Sequence, residues 1–236
     1  MVNHARHFER SFLSVNRLRT RRSDFEAQAW ILDSGAFTEI SQHGEFRTSP
    51  AEYAALIHRW HRCGRLEMAV CQDFMCEPFI LEATGHTVAQ HQQWTVERYD
   101  GLLALAPVPI MPVLQGWEAA DYVAHARQYG ARLTHGMRVG VGSVCKRNAS
   151  PLAVRRILCA IMAERPDLRL HGFGLKSTAL RDPLIRALLH SADSMAWSYA
   201  ARRSGGNANG LAEALAFSEA IEELSVDSSS QVPLLT

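Results

Sequence analysis

Residues 110–130, IMPVLQGWEAADYVAHARQYG, contain one strand, one polar turn and one helix, and this order decides the fold class. The apolar run Ile110–Leu114 predicts a buried strand that ends at the polar pair Gln115-Gly116. The stretch Glu118–Tyr129 then predicts a helix that stops at Gly130. A strand that leads through a polar turn into a helix is typical of α/β proteins with parallel strands.

The same alternation runs along most of the chain. Further strands are predicted at Phe12–Val15, Trp30–Leu32, Met68–Cys71, Met137–Val141, Leu170–Phe173 and Ala192–Ala196. Further helices are predicted to begin at Ser49-Pro50, Thr87, Ser150-Pro151, Asp182-Pro183 and Leu211. We therefore predict a TIM-like (β/α)8 barrel over residues 1–225, with a weak eighth strand near Gly206–Leu211 or an incomplete barrel. A doubly wound open sheet fits the same alternation, and residues 226–236 are expected to be a frayed tail.

Composition excludes several classes of protein. With 236 residues, 47% of them hydrophobic and 21% charged, the chain is neither disordered nor fibrous. The net charge of +1 argues against a globally basic nucleic-acid coat but allows a local basic patch. No apolar run is long enough to span a membrane, and Met1–Arg10 is too polar for a signal peptide. The five cysteines form no CxxC pair, which favours reduced thiols in a cytosolic compartment.

Nearly every predicted strand ends in polar or glycine residues. These are Asp33-Ser34-Gly35, Gln72-Asp73, Gln115-Gly116, Gly140–Ser143 and Gly172–Lys176, and the last predicted strand carries Asp193. Any one of them could simply cap a helix or ease a turn. Because the carboxyl ends of parallel strands face one mouth of a barrel, their joint occurrence predicts a site there. The glycine sets match neither a dinucleotide fingerprint nor a P-loop, so the site is not of those two kinds.

The residue types in this mouth indicate a chemistry. A carboxylate and a glutamine can pair with the donor and acceptor edge of a purine. Two further carboxylates suit a reaction at the anomeric carbon of a sugar, where one attacks and the other handles the proton.

Several of these stretches resemble the tRNA-guanine transglycosylase superfamily. The resemblance rests on DSGAF (33–37), QDFMCEP (72–78), PVLQGW (112–117), VGVGSV (139–144), HGFGLK (171–176) and SADSMAWSYAAR (191–202). The segments DSGAF, QDFMCEP and SADSMAWS are similar to those of the short DpdA-type branch, whose members are found in phages and bacterial genomic islands. That resemblance implies replacement of guanine in DNA by a 7-deazaguanine base such as 7-cyano-7-deazaguanine (preQ0), in the cytoplasm of a bacterial or phage-infected cell.

The resemblance also implies residue roles. Asp33 would act as general acid and base near the reacting sugar, supported by Ser34, and Phe37 would stack on the base. Asp73 would bind the purine edge beside Gln115. The remaining base-binding candidates lie on two strand ends: Gly140, Val141, His171 and Gly172.

The attacking carboxylate is where the sequence departs from the family pattern. In that pattern, the position of the nucleophilic aspartate aligns with Ala196 or Trp197, neither of which carries a carboxylate. Asp193 is the only acidic residue nearby. We expect Asp193 to be the nucleophile, brought into place by a small bulge. The alternative is that Asp193 is structural and Asp33 attacks.

A second departure concerns metal. The tRNA enzymes carry a zinc site of three cysteines and a histidine after the nucleophile, but no cysteine follows Cys159 here. We therefore expect no zinc subdomain, no bound metal and no cofactor.

Basic residues that follow three of the strands are expected to contact the DNA backbone, although solvated basic loops would look the same. They are Arg17, Arg19, Arg21, Arg22, Lys146, Arg147, Arg202 and Arg203. Three rival functions stay open: a tRNA-directed transglycosylase, a non-catalytic nucleic-acid-binding subunit, and an unrelated sugar-processing barrel. The sequence does not predict the oligomeric state.

Overall fold

The structure is a computed structural model that describes residues 2–147, 150–226 and 234–235. The strands are β1 (Arg10–Ser14), β2 (Ala29–Asp33), β3 (Arg65–Val70), β4 (Ile110–Met111), β5 (Val113–Leu114), β6 (Arg138–Val141), β7 (Arg169–Gly172), β8 (Ser191–Asp193) and β9 (Leu234–Leu235). They alternate with helices, as the sequence pattern predicts for an α/β protein.

The helices are α1 (Ala36–His43), α2 (Pro50–Trp60), α3 (Pro78–Thr84), α4 (Val88–Leu103), α5 (Ala119–Tyr129), α6 (Pro151–Glu164), α7 (Ser177–Leu180), α8 (Pro183–Leu188), α9 (Ala196–Arg203) and α10 (Leu211–Val226). Short 3-10 turns lie at Val2–His7, Val15–Arg17, Gly130–Arg132 and Val144–Arg147. In the part of the chain described, no helix combines the length and the apolar character needed to cross a bilayer.

The strands form two parallel sheets, and the segment Ile110–Leu114 contributes one short strand to each of them. One sheet has the order β1-β2-β3-β4 and the other the order β5-β6-β7-β8-β9. Pro112 separates β4 from β5, so the predicted strand Ile110–Leu114 is two short strands, because proline has no N–H to donate to a ladder. The carbonyl of Pro112 still accepts a hydrogen bond from the N–H of Gly140 (2.8 Å), which links the two sheets.

Local sequence explains where the main helices begin. Ser49 caps α2 in a capping box with Glu52, and Pro50 occupies the first helical position. Thr87 and Gln90 form the same motif at the start of α4. The predicted starts at Thr87 and at the Ser49, Ser150 and Asp182 proline pairs are therefore confirmed, and each of these helices is followed by the next strand.

The chain after β8 differs from the sequence prediction. The predicted strand Ala192–Ala196 is wrong in its second half, because β8 ends at Asp193 and α9 begins at Ala196. The hydroxyl of Ser194 accepts a hydrogen bond from the N–H of Ala196 (3.2 Å), and this contact turns the chain into the helix. Asp193 is thus the last residue of the strand, and no bulge is needed to place it there.

No strand lies at Gly206–Leu211, the position predicted for a weak eighth strand. The Gly206–Leu211 segment is a turn that enters α10, in keeping with its glycine and asparagine content. Leu234–Leu235 pairs in parallel with β8 instead, with Leu235 opposite Asp193. These two residues belong to the segment 226–236 that was expected to be frayed; residues 227–233 and 236 lie outside the described residues.

Candidate active site at the carboxyl ends of the strands

Three aspartates lie at the carboxyl ends of the parallel strands. Asp33 is the last residue of β2, Asp193 is the last residue of β8, and Asp73 follows β3 by three positions. The charges of Asp73 and Asp193 both act on Asp33, so the three carboxylates share one electrostatic environment. The structure therefore brings together the three acids that the sequence predicts to meet.

Asp33 is poised between its acid and its carboxylate form. Burial, and then the charges of Asp73 and Asp193, raise the pKa of Asp33 to about 7. Hydrogen bonds with the Ser14 side chain and the Gly35 backbone act in the opposite direction but do not cancel the rise. A carboxyl group that is half protonated near neutral pH is suited to give and to take a proton.

The raised pKa of Asp33 predicts a pH-dependent effect on stability. The acid is harder to ionise in the folded protein than in the unfolded chain, so stability falls as the pH rises from about 4 to about 7. The shift corresponds to at most about 4 kcal/mol. We expect Asp33→Asn to raise the free energy of unfolding by about 1–3 kcal/mol at pH 8, with a gain that disappears near pH 4.

Denaturant titrations of the wild type and the variant at both pH values measure this gain. The matched control is Asp100→Asn, which removes an exposed carboxylate bonded to Arg132 (2.6 Å) and should give no gain at pH 8. Equal stability of wild type and Asp33→Asn at both pH values would contradict the assignment.

Asp73 is held by two polar side chains. Its Oδ2 accepts a hydrogen bond from Gln115 Nε2 (2.5 Å), and its Oδ1 accepts one from Ser34 Oγ (3.3 Å). Burial raises the pKa of Asp73 to about 6 although both hydrogen bonds favour the carboxylate. Gln115 thus lies beside Asp73 as predicted, whereas Ser34 bonds to Asp73 and not to Asp33, its expected partner.

Ser143 extends this network; the sequence places it at a strand end but indicates no role for it. Its hydroxyl donates to Gln115 Oε1 (2.8 Å) and accepts from the backbone N–H of Cys76 (3.2 Å). Ser143 has a φ of 59°, and among the described residues it is the non-glycine residue with a positive φ. Such a conformation is costly and is found where the surrounding contacts fix it, often at a functional site.

Asp193 makes its contacts through one of its two carboxylate oxygens. Its Oδ1 accepts a hydrogen bond from the N–H of Gly174 (3.0 Å) and lies 3.4 Å from Nε2 of His171. Nδ1 of His171 is 2.9 Å from Ser191 Oγ, and its ring stacks on Phe12 with 5.3 Å between ring centres. His171 is fully buried beside Asp193, and its predicted contact with a base stays a prediction.

Glu77 is a fourth carboxyl group in this region. It is 1% exposed, and neither of its oxygens accepts a hydrogen bond from a described residue. Burial raises the pKa of Glu77, and the nearby charge of Lys146 lowers it. Position 77 is part of the QDFMCEP stretch, and that proximity in sequence to Asp73 was the available signal.

The glycine-rich strand ends pack against side chains. A Cβ on Gly140 would lie 2.4 Å from the ring of Phe173, and one on Gly172 would lie 2.6 Å from Leu175. The Gly140 N–H donates to Pro112, and the Val141 carbonyl accepts from the N–H of Phe173 (3.3 Å). These two backbone groups are therefore engaged in hydrogen bonds within the sheets. The base-binding role of Gly140, Val141 and Gly172 stays a prediction.

Phe37 and Lys146 lie at the rim of the mouth. Phe37 is 50% exposed on α1, and the ammonium group of Lys146 lies 4.4 Å from its ring centre. Lys146 also lies 5.6 Å from the ring of Phe79, an exposed residue of α3 that the sequence analysis did not single out. The predicted stacking residue is thus accessible to a ligand, and its contact with a base stays a prediction.

The arginines expected to contact DNA fall into two groups. Three of them bind protein groups: Arg19 approaches Glu39 (3.6 Å), Arg21 bonds to the Ser23 carbonyl (2.8 Å), and Arg147 bonds to the Trp117 carbonyl and covers its ring. The others are exposed at the surface and follow β1 or lie in α9: Arg17, Arg22, Arg202 and Arg203. The exposed group offers cations to a ligand.

The described residues contain no group of three or more histidine, cysteine, aspartate or glutamate side chains placed to hold a metal ion.

A family model described as "DpdA: DeoxyPurine in DNA protein A" matches residues 7–214 of the chain. The match begins before β1 and ends in the first turn of α10, so it includes Asp33, Asp73 and Asp193. No curated protein matches the chain.

Proposed function

The chain belongs to the DpdA family, and on that premise we propose that it exchanges guanine in DNA for a 7-deazaguanine base through a covalent aspartyl-sugar intermediate. The observation that carries the proposal is the group of three aspartates at the strand ends, one with a pKa of about 7 and one bonded by Gln115. Paired carboxylates of this kind support double displacement at an anomeric carbon.

In the first half of the reaction, Oδ2 of Asp193 attacks C1′ of the target nucleotide. The C1′–N9 bond breaks, its electron pair moves to guanine, and the acid form of Asp33 donates a proton to the departing base. Asp193 is suited to attack because the Gly174 N–H and His171 hold only its Oδ1.

In the second half, the carboxylate form of Asp33 takes the proton from N9 of the incoming 7-deazaguanine. The nitrogen attacks C1′ and the bond between C1′ and Asp193 breaks, which restores the carboxylate. The pKa of about 7 allows Asp33 to serve in both directions at neutral pH. The target guanine has to leave the base stack before the first step, at a cost of a few kcal/mol in a duplex.

Base recognition is assigned to Asp73. Its carboxylate can accept hydrogen bonds from the N–H groups on the Watson–Crick edge of guanine or a 7-deazaguanine, and Gln115 and Ser34 fix its orientation. Loss of a hydrogen bond to a charged group costs about 1.5–3 kcal/mol.

Asp73→Asn therefore tests this assignment. We expect the KM for the incoming base to rise about 10- to 100-fold, with a smaller change in kcat, because the amide can no longer accept from two donors. Steady-state incorporation assays over a range of base concentrations measure both parameters. An unchanged KM combined with a large loss of kcat would place Asp73 in the chemical step instead.

The choice between DNA and tRNA is tested with a labelled 7-deazaguanine. Purified protein is incubated with the base and either DNA or tRNA, and label in each polymer is counted. We expect label in DNA, whereas label in tRNA only would favour a tRNA-directed enzyme. Label in neither polymer, together with binding of DNA, would favour a non-catalytic nucleic-acid-binding subunit.

We also propose that the two sheets form one closed eight-stranded barrel. Three observations support this: β4 and β5 flank Pro112 as one interrupted strand, Cα atoms of β9 come within 8 Å of those of β1, and Phe12 of β1 stacks on His171 of β7. Closure would place all the strand ends around one mouth.

A further inference from the structure

Exposed aromatic rings are concentrated at one edge of the molecule. Among the described residues, the most exposed large aromatic side chains are Phe37 (50%), Phe79 (47%) and Tyr199 (53%). They lie on α1, α3 and α9, the helices that directly follow β2, β3 and β8. Large apolar side chains exposed at the start or end of other helices, such as Leu103 of α4, are aliphatic.

Each of these rings has a cation beside it. Lys146 Nζ lies 4.4 Å from the ring centre of Phe37 and 5.6 Å from that of Phe79. Lys176 Nζ lies 5.4 Å from the Tyr199 ring, and the guanidinium of Arg203 lies 6.0 Å from it. Lys146 and Lys176 are the only lysines in the chain, and both are at this edge.

The charge distribution restricts how a nucleic acid can lie here. Asp33, Asp73 and Asp193 repel phosphate from the centre of the mouth, while the cations at the rim attract it. A nucleotide can then place its base among the carboxylates while its own phosphates stay at the rim. The neighbouring nucleotides must lie along the rim, where the exposed rings are.

Exposed rings with cations beside them can bind unpaired bases by stacking. Stacking of a base on an aromatic side chain contributes about 1–3 kcal/mol and needs an open face of the base. In a duplex both faces of each base are covered by its neighbours, whereas an unpaired strand leaves them free.

We propose that the rim holds two stacking platforms for the unpaired bases that flank the target guanine, and that single-stranded DNA is the form of substrate the protein binds. The first platform is Phe37 and Phe79 with Lys146, and the second is Tyr199 with Lys176 and Arg203. This inference rests on the proposed function for the identity of the nucleic acid.

The test measures DNA binding without the incoming base. The Kd of the full chain for a fluorescent oligonucleotide containing one guanine is determined by anisotropy, single-stranded and as a duplex, over a series of salt concentrations. We expect tighter binding of the single strand. Phe79→Leu and Tyr199→Leu should each weaken it by about fivefold or more without changing the salt dependence, because they remove stacking and no charge.

Matched variants separate stacking from charge and from misfolding. Phe79→Tyr keeps the ring and should bind like wild type, and so should Leu103→Ala, which alters an exposed side chain at the far end of α4. Lys176→Gln should lower the slope of log Kd against log salt by about 0.7, the value for one phosphate contact on a single strand.

Two results would overturn the inference: single-strand binding by Phe79→Leu and Tyr199→Leu equal to that of wild type, or duplex binding as tight as single-strand binding. Its failure is distinguishable from failure of the proposed function. If base exchange occurs but both leucine variants bind normally, only the platforms are wrong. If the variants lose affinity but no base is exchanged, only the reaction is wrong.

Discussion

Asp193→Asn is expected to lower the rate of base exchange by at least about 10⁴-fold and to abolish the covalent protein–DNA adduct. The amide is not nucleophilic, but its oxygen can still accept the hydrogen bond from Gly174, so the strand end keeps its geometry. The adduct is measured on a denaturing gel and by intact mass after incubation with a guanine-containing oligonucleotide and no incoming base. Wild-type protein should gain the mass of the oligonucleotide less one guanine.

Asp100→Asn serves as the control for this variant, since Asp100 is an exposed aspartate that bonds to Arg132 at the surface. It should form the adduct at the wild-type rate. An adduct formed by Asp193→Asn at that same rate would show that another carboxylate attacks, and Asp33 would be the next candidate.

The second large effect concerns Asp33 and the pH dependence of the first half-reaction. Departure of guanine needs the acid form of Asp33, whose pKa is raised to about 7. The rate of adduct formation should therefore be constant below pH 7 and fall about tenfold per pH unit above it. Asp33→Asn should lower the rate by about 10²–10⁴-fold and remove this dependence.

The direction of the pH effect also separates the two roles open to Asp33. As an attacking carboxylate it would have to be ionised, and the rate would rise with pH through 7 instead of falling. Single-turnover measurements from pH 5.5 to about 9 on the wild type and Asp33→Asn distinguish the two cases, with Asp100→Asn as the control. A rate that does not change with pH would contradict both roles.

The sequence predicts the position of the site well because its signal is local. An apolar run followed by a polar residue is enough to place Asp33 at a strand end, and parallel pairing then brings it to the same side as the residues that follow the other strands. For Asp193 the sequence predicts the strand but not its end, because the predicted strand runs on to Ala196 whereas β8 stops at Asp193. The partners of these residues depend on contacts between distant segments. The hydroxyl of Ser34 therefore reaches Asp73, 39 positions away, rather than its neighbour Asp33.

The roles of the glycines were harder to predict because they also depend on contacts between distant segments. Gly140 looks like a strand end opened for a ligand, but the ring of Phe173 from the neighbouring strand occupies the space beside it. A glycine in a sequence indicates close approach without saying what approaches. The strand β9 was missed because Leu234–Leu235 is too short to show a period, and it is recognised by its pairing with β8.

Nucleoside mass spectrometry of DNA treated with the purified protein and 7-cyano-7-deazaguanine tests the account most directly. We predict that one 7-deazaguanine deoxynucleoside appears for each deoxyguanosine lost, with release of an equal amount of free guanine and no abasic sites. DNA treated with Asp193→Asn should remain unmodified. Unmodified DNA after treatment with the wild-type protein, or guanine loss that leaves abasic sites, would contradict the account.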